Sequence, residues 1–276
     1  MTAAPFGRLL IVGAGLLGTS VALAVKRRWP EVHVSAIDVV AGGHAPFDAH
    51  LPAHLPPPAC DLAVLACPLS AYGEWLPRLA AADADRPVTD VGSVKRLPEH
   101  LARQAGLTAF VGGHPMAGGT IGGPRGASAT LFDGKPWFIC AGAAPAPAVD
   151  LATALAAGCG ARPVALDAAG HDATVAATSH LPQIVATLLM LEVGAALDDR
   201  ALATAGGGLR DTTRLAASAA PIWRSIVAAN ADEIAPLLRG LAQRLQAAAD
   251  ALTDQTATTR LFDEANRARR RIEPPL

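Results

Sequence analysis

Three glycines, Gly13, Gly15 and Gly18, stand in the run G-A-G-L-L-G, directly after the apolar stretch Arg8–Val12 and ahead of an uncharged stretch reaching Val25. The spacing reads as a strand, a tight turn and a helix. Gly13 permits the turn, Gly15 lets the backbone approach a pyrophosphate, and Gly18 lets the helix pack closely on the strand. Leu16 and Leu17 lie where the helix opens, and a helix N-terminus turns its unpaired N–H groups toward phosphate. Asp38 closes the next apolar run, 20 residues past Gly18, where a carboxylate accepts hydrogen bonds from ribose hydroxyls. An acid there repels a 2′-phosphate, and Val39 and Val40 follow where NADP sites often carry Arg. The expected cofactor is NAD.

Short apolar runs alternate with helical stretches through the first 166 residues, the pattern of a parallel sheet covered by helices. Candidate strands are Arg8–Val12, His33–Ile37, Leu62–Ala66, Pro87–Asp90, Phe110–Gly112, Trp137–Cys140 and Pro163–Leu166. A loop rich in Pro and His, Gly42–Pro58, separates the second and third; its His44, His50 and His54 lack the spacing of a metal site and read as solvated. After Asp167 the texture turns to Ala- and Leu-rich helices, about Ala169–Asp198, Leu202–Leu215, Pro221–Asn230 and Ala231–Asp254. The expected architecture is α/β, with a Rossmann-type dinucleotide-binding domain over 1–166 and an all-α domain over 167–276. The long Ala169–Asp198 helix is apolar on more than one face and asks for burial on several sides, which a homodimer supplies.

Other classes fit less well. A net charge of -1 argues against a nucleic-acid surface, and the run Arg267, Arg269, Arg270 and Arg271 reads as a solvated tail. Hydrophobic residues make up 51% and charged residues 17%, which excludes a disordered chain. Leu9–Val25 has basic flanks like a signal or membrane segment, but it is short for a span and broken by glycines at a purposeful spacing. Cys60, Cys67, Cys140 and Cys159 are scattered with no C-x-x-C pair, which points to a reducing cytoplasm.

In an open α/β sheet, ligands bind beyond the carboxyl ends of the strands. Pro68 follows the third strand there, in D-L-A-V-L-A-C-P, and Ser93 follows the next, in V-T-D-V-G-S-V-K. Ser93 is placed either to reach the nicotinamide or the reacting carbon, or to cap a helix starting near Val94. His114, in V-G-G-H-P-M-A-G-G, sits at a strand end between a glycine pair and a proline, where the backbone is expected to turn tightly.

The ordered series G-A-G-L-L-G, D-V-G-S-V-K, G-G-H-P-M-A-G, T-S-H-L-P-Q, G-G-L-R-D-T-T-R-L-A and I-W-R-S-I-V-A-A-N resembles the prephenate dehydrogenase family, which includes arogenate and cyclohexadienyl dehydrogenases. The resemblance runs from residue 8 to about 250 and implies NAD-dependent oxidative decarboxylation in tyrosine biosynthesis. It implies that His114 accepts the proton of the substrate's 4-hydroxyl and that Ser93 hydrogen-bonds that hydroxyl. It also implies that His180 lines the substrate pocket with Trp223 nearby, and that Arg214 grips a substrate carboxylate. The chemistry agrees: the hydroxyl proton needs a base near neutral pKa, and the carboxylate needs a fixed cation. Aromatisation drives the reaction, so no metal is required.

Arg210 and Arg214 are four apart and are expected to share one helix face, with Arg214 on substrate and Arg210 on Asp211 or a backbone carbonyl. The chain departs from many relatives at Gly119, Thr120 and Ile121, where they carry an acidic residue, and at Gln183, where they carry a second His. Both departures bear on the choice between prephenate and arogenate, and Gln183 is expected to border the substrate. From its length the chain is expected to carry neither the regulatory domain nor the fused chorismate mutase of some relatives. Three alternatives stand beside this reading. A dehydrogenase of the β-hydroxyacid type relies on a Lys in its helical domain, and no Lys follows Lys135 here. An oxidant of 4-amino-4-deoxyprephenate would carry nearly the same motifs. A non-catalytic NAD-responsive module would have no use for Ser93, His114 and Arg214.

Overall fold

The computed structural model describes residues 3–39, 46–119 and 121–272. Val40, His44 and Thr120 lie outside them. The chain forms two compact units that divide between Asn230 and Ala231.

Among the described residues the first unit holds eight strands: β1 (Arg8–Val12), β2 (His33–Asp38), β3 (Ala49–Pro52), β4 (Leu62–Leu65), β5 (Val88–Asp90), β6 (Phe110–Pro115), β7 (Pro136–Cys140) and β8 (Arg162–Ala165). They form one sheet in the order β3-β2-β1-β4-β5-β6-β7-β8. Every pairing is parallel except β6 with β7, where His114 lies opposite Phe138. The helices α1 (Leu16–Arg28), α2 (Tyr72–Ala82), α3 (Arg96–Gln104) and α4 (Ala146–Gly158) cover both faces. Side chains alternate across a strand, so β1 feeds two cores. Leu9 and Ile11 pack with Val21, Val25 and Leu155, while Leu10 and Val12 pack with Leu76, Leu79 and Ala102. Burial on both faces explains why these strands read as continuous apolar runs.

From β1 the chain runs to β2 on one side, and β4 then pairs with β1 on the other. This reversal opens a crevice at the carboxyl ends of β1 and β4, bordered by the glycine loop and by Ala66–Pro68. Leu9–Val25 is thus a strand, a turn and a helix, with most of its apolar residues buried.

Several elements differ from the sequence expectation. The Pro- and His-rich loop contains β3, an edge strand that includes His50, and Asp48 beside it accepts from Val34 N at 2.8 Å and pairs with Lys26 at 2.6 Å. Strand β6 continues through His114, so the glycine pair there belongs to a strand and not to a tight turn. The long helix is α5 (Ala168–Val175) and α6 (Leu181–Ala196), joined by a π turn at Ala176–His180. Pro182 has no N–H to give to the carbonyl four residues back, and the widened turn falls just ahead of it. Ala168–Ala196 is, among the described residues, the one helix long and apolar enough to cross a membrane. It nevertheless carries His171, Asp172 and His180, all buried.

Where one helix was expected over Leu202–Leu215, there are α7 (Asp199–Leu202), α8 (Gly207–Thr213) and a 3-10 turn at Arg214–Ala217. Arg210 and Arg214 therefore do not share one regular helix. Helix α9 (Ala220–Ala229) closes the first unit. The second unit consists of α10 (Ala231–Asp250) and α11 (Gln255–Arg270). Asp254 does not end the first of these but caps the second, accepting from Thr256 N at 2.9 Å and Ala257 N at 3.1 Å. Of the terminal basic run, Arg267, Arg269 and Arg270 stand in the last turn of α11 and Arg271 at its C-cap, where a helix C-terminus favours cations.

Candidate active site

The glycine loop has the geometry a dinucleotide needs. Gly13 has φ 103°, and a Cβ there would lie 2.7 Å from the Ala66 carbonyl carbon. A Cβ on Gly18 would run into the Gly13 carbonyl oxygen, which is why the helix can start so close to the strand. Gly15 has open space around it, leaving its backbone accessible to a bulky phosphate group. Asp38, at the end of β2, accepts from Ala14 N at 2.6 Å, so its carboxylate is tied to the same loop. Leu16 and Leu17 begin α1, and Pro68 opens the short turn after β4. Gly119, in the segment after His114, borders this loop: a Cβ there would lie 3.5 Å from Leu16 Cδ2.

Beneath the site lies a fully buried ion pair. Lys95 Nζ lies 2.5 Å from both oxygens of Asp90 and donates to the Gly113 carbonyl at 2.6 Å. Asp90 also accepts from Tyr72 Oη at 2.9 Å, Gly92 N at 3.0 Å and Gly113 N at 2.8 Å. A buried carboxylate is tolerable only when its lone pairs are taken up in this way. The same packing explains the glycine pair of G-G-H-P. A Cβ on Gly112 would press on Lys95 Cδ at 2.9 Å, and one on Gly113 would strike the Asp90 carbonyl oxygen.

His114 follows, at the carboxyl end of β6. Its Nδ1 lies 2.8 Å from His171 Nε2, and His171 Nδ1 lies 2.8 Å from Asp172 Oδ1. Asp172 also accepts from Lys95 N at 2.7 Å and from Arg96 N at 3.0 Å and Nε at 3.2 Å. It thereby caps α3, the task that Ser93 was one candidate for; the helix starts at Arg96, and Ser93 is half-buried with no hydrogen bond among the described residues. His114 is 8% exposed, and its Nε2 has no hydrogen-bond partner among the described residues. Burial, then the neighbouring His171, Lys95 and His180, hold its pKa well below 6.5. His171 is lowered as well, by burial that outweighs its bond to Asp172. Burial pushes the Asp172 carboxyl up, and the bonds it accepts more than reverse this, leaving it below the usual carboxylate range.

His180 leaves the π turn beside this group. Asn230 Oδ1 accepts from Arg96 Nη2 at 3.0 Å, which fixes the amide's orientation. Its Nδ2 then donates to the Asp172 carbonyl at 2.8 Å and faces His180 Nδ1 at 3.2 Å. An amide NH2 only donates, so His180 Nδ1 accepts and the proton sits on Nε2. That Nε2 is buried without a partner, an orphan donor of the kind a ligand satisfies. Burial lowers the His180 pKa to about 4, so the donor is neutral at physiological pH. Trp223 stands edge-on to His180 at 5.8 Å between ring centroids.

Gln183 is buried and its amide is taken up: Nε2 donates to the Leu215 carbonyl at 2.7 Å, and Oε1 accepts from Ser218 at 3.2 Å. Its polar groups therefore pin the 3-10 turn to α6 instead of facing a substrate. Arg214, in that turn, is exposed and makes no hydrogen bond or ion pair among the described residues. Arg210 donates from Nε to the Ala205 carbonyl at 3.2 Å, one of the two partners expected for it. Sequence reasoning missed His171, Asp172 and Asn230. The signal for the first two was an adjacent His and Asp inside a mostly apolar helical stretch, D-A-A-G-H-D-A-T-V.

Two family patterns divide the chain between them. Prephenate dehydrogenase, nucleotide-binding domain, matches residues 21–165, and prephenate dehydrogenase, dimerization domain, matches residues 167–264. A probable prephenate dehydrogenase of Streptomyces niveus is 34% identical over 86% of this chain and 67% of its own length. A cyclohexadienyl dehydrogenase of Zymomonas mobilis is 30% identical over 96% of this chain and 95% of its own. In fold, the chain resembles the prephenate dehydrogenase of Aquifex aeolicus crystallised with hydroxyphenyl propionate and NAD+, with a TM-score of 0.85, 22% identity and 99% of each chain covered. With both halves matched in order, and with relatives of this identity along most of its length, the chain belongs to the prephenate dehydrogenase family.

Proposed function

We propose that this protein catalyses the NAD-dependent oxidative decarboxylation of prephenate or arogenate, a step of tyrosine biosynthesis, with His114 as the base. The observation that carries this reading is His114 itself: buried, neutral, and with Nε2 unpartnered at the carboxyl end of β6, on the same end of the parallel sheet as the glycine loop. The dinucleotide is held by Gly13, Gly15, Gly18, Leu16, Leu17, Asp38 and Pro68, and when bound it supplies the hydride acceptor. His114 Nε2 accepts the 4-hydroxyl proton, and Ser93 hydrogen-bonds the same hydroxyl. His180 offers its Nε2–H to a substrate carboxylate oxygen, Trp223 flanks the ring, and Arg214 supplies the positive charge for a carboxylate.

Residues 1–166 serve as the nucleotide domain, and 167–276 bind substrate and pair two copies as a homodimer. A cytoplasmic setting agrees with four free cysteines, two of them half-buried. The test is formation of NADH from NAD+ with prephenate, with arogenate and with the 4-amino analogue. Turnover of one of these supports the reading and names the substrate. NAD+ binding without turnover of any of them would leave a binding module instead.

A further inference from the structure

We infer that His171 and Asp172 are positioning residues for His114: they hold it as the tautomer whose Nε2 is the base, and they take up the charge of the proton it receives. The inference rests on the proposed oxidation at a hydroxyl-bearing ring carbon.

The direction of each hydrogen bond follows from the far end of the chain. Asp172 receives four donors, Lys95 N, His171 Nδ1, Arg96 N and Arg96 Nε, at 2.7 to 3.2 Å. A carboxylate so placed is ionised and only accepts. His171 Nδ1 is therefore the donor, and neutral His171 has its lone pair on Nε2. That lone pair faces His114 Nδ1 at 2.8 Å, so Nδ1 carries the His114 proton. The bond made by one ring nitrogen sets the state of the other, which leaves the lone pair of His114 on Nε2. The opposite tautomer would present an N–H to the substrate hydroxyl and could not act as a base.

The surroundings make a plain histidine a poor proton acceptor here. Lys95, paired with Asp90, and His180 both face His114 unfavourably for a positive charge, and burial adds to this. Asp172 is the anion connected to His114 through His171. As the substrate O–H bond breaks, an N–H bond forms at His114 Nε2, and the Nδ1 proton passes to His171 Nε2. The cation then rests on His171, in contact with the Asp172 carboxylate. The bound dinucleotide would serve as acceptor for the C4 hydride, and loss of carbon dioxide from C1 leaves its bonding electrons in the ring as a phenolate. The phenolate oxygen takes the proton back by the reverse path. The reaction releases no net proton, so the relay need only store one between two bond changes.

Asp172 also caps α3, so the informative variant is at His171. In His171→Leu, kcat should fall by about 10²–10⁴, the range of a general base or its tautomer control, with KM for substrate and Kd for NAD+ near wild type. His171→Gln keeps an acceptor for Nδ1–H but cannot carry a proton, and should recover part of the loss. Independently of activity, nitrogen-15 imidazole spectra of the free enzyme, with His114 identified by its loss in His114→Asn, should place its proton on Nδ1. In His171→Leu it should move to Nε2. A wild-type His114 protonated on Nε2, a His171→Leu variant with wild-type kcat, or a loss confined to KM would each overturn the inference. If the wild-type enzyme oxidises none of the three substrates, the proposed function fails, and the spectra still decide the tautomer.

Discussion

His114 and His180 are both buried and both held neutral, yet their unpartnered nitrogens have opposite character. His114 bonds through Nδ1 to an acceptor and is left with a lone pair; His180 bonds through Nδ1 to a donor and is left with an N–H. One suits a proton, the other a carboxylate oxygen. His114→Asn should keep the fold and NAD+ binding and lose about 10²–10⁴ in kcat. Because the base must be neutral and its pKa is lowered, wild-type kcat should hold through neutrality and fall only below about pH 6.5, and the variant should lack this limb. Retention of wild-type turnover and of the same limb would assign the base elsewhere. Stability should follow the same sign. His180 titrates near 4 when folded and near 6.5 when unfolded, so the unfolded chain binds the proton first as pH drops. The stabilisation is full above about pH 6.5 and is lost on the way to pH 4, on the order of 3 kcal/mol for this residue. Urea unfolding at pH 7 and pH 5 measures it, and equal stability at both would refute it. His114, Ser93 and His180 were legible because they stand in recognisable motifs. Asp172 was not, because its partners Lys95 and Arg96 lie more than 70 residues away along the chain.

At the scale of elements, the sequence showed seven of the eight strands, the inner ones because a strand buried on both faces declares itself as a short apolar run. It did not show β3, an edge strand that ends in a proline and is only partly buried, so no apolar pattern marks it. Nor did it show the π turn, whose cause, Pro182, also fits an ordinary helix start. The glycine pair in β6 is the instructive misreading. Glycine there suggested a sharp bend, whereas the backbone is extended and the missing Cβ makes room for Asp90 and Lys95. Gly113→Ala should therefore destabilise the protein through overpacking, by about 1–3 kcal/mol, although its backbone conformation suits alanine. Denaturant titration would show it, with loss of activity as His114 shifts with the strand. An unchanged midpoint and unchanged kcat would mean that β6 admits the extra methyl group without strain and would refute the prediction.

The whole molecule raises a different question, namely what joins its parts. Composition divides the chain after Leu166, where alternating strands and helices give way to helices alone. The compact unit nonetheless runs on to Asn230, because Asp172 and Asn230 bond to Lys95 and Arg96 and bring α5 and the end of α9 onto the sheet domain. Sequence texture reports what elements form, and not which of them share buried hydrogen bonds. Among the apolar side chains left open to solvent, two lie on the helix matched by the dimerization-domain pattern. On α6, Leu188 is 54% and Leu191 65% exposed, three residues apart and so on one face, in a helix with little charge. An isolated chain gains nothing by showing leucines to water, at roughly 25 cal/mol per Å² of apolar surface, so a second copy is the natural cover for them. The residues matched by the dimerization-domain pattern include this helix. Light scattering at micromolar concentration should give twice the 28.0 kDa chain mass. Leu188→Glu with Leu191→Glu should bring the mass toward that of one chain, since each carboxylate would have to be buried unpaired at the interface. A monomeric wild type would refute the homodimer, and a double variant that stays dimeric would place the interface on another face.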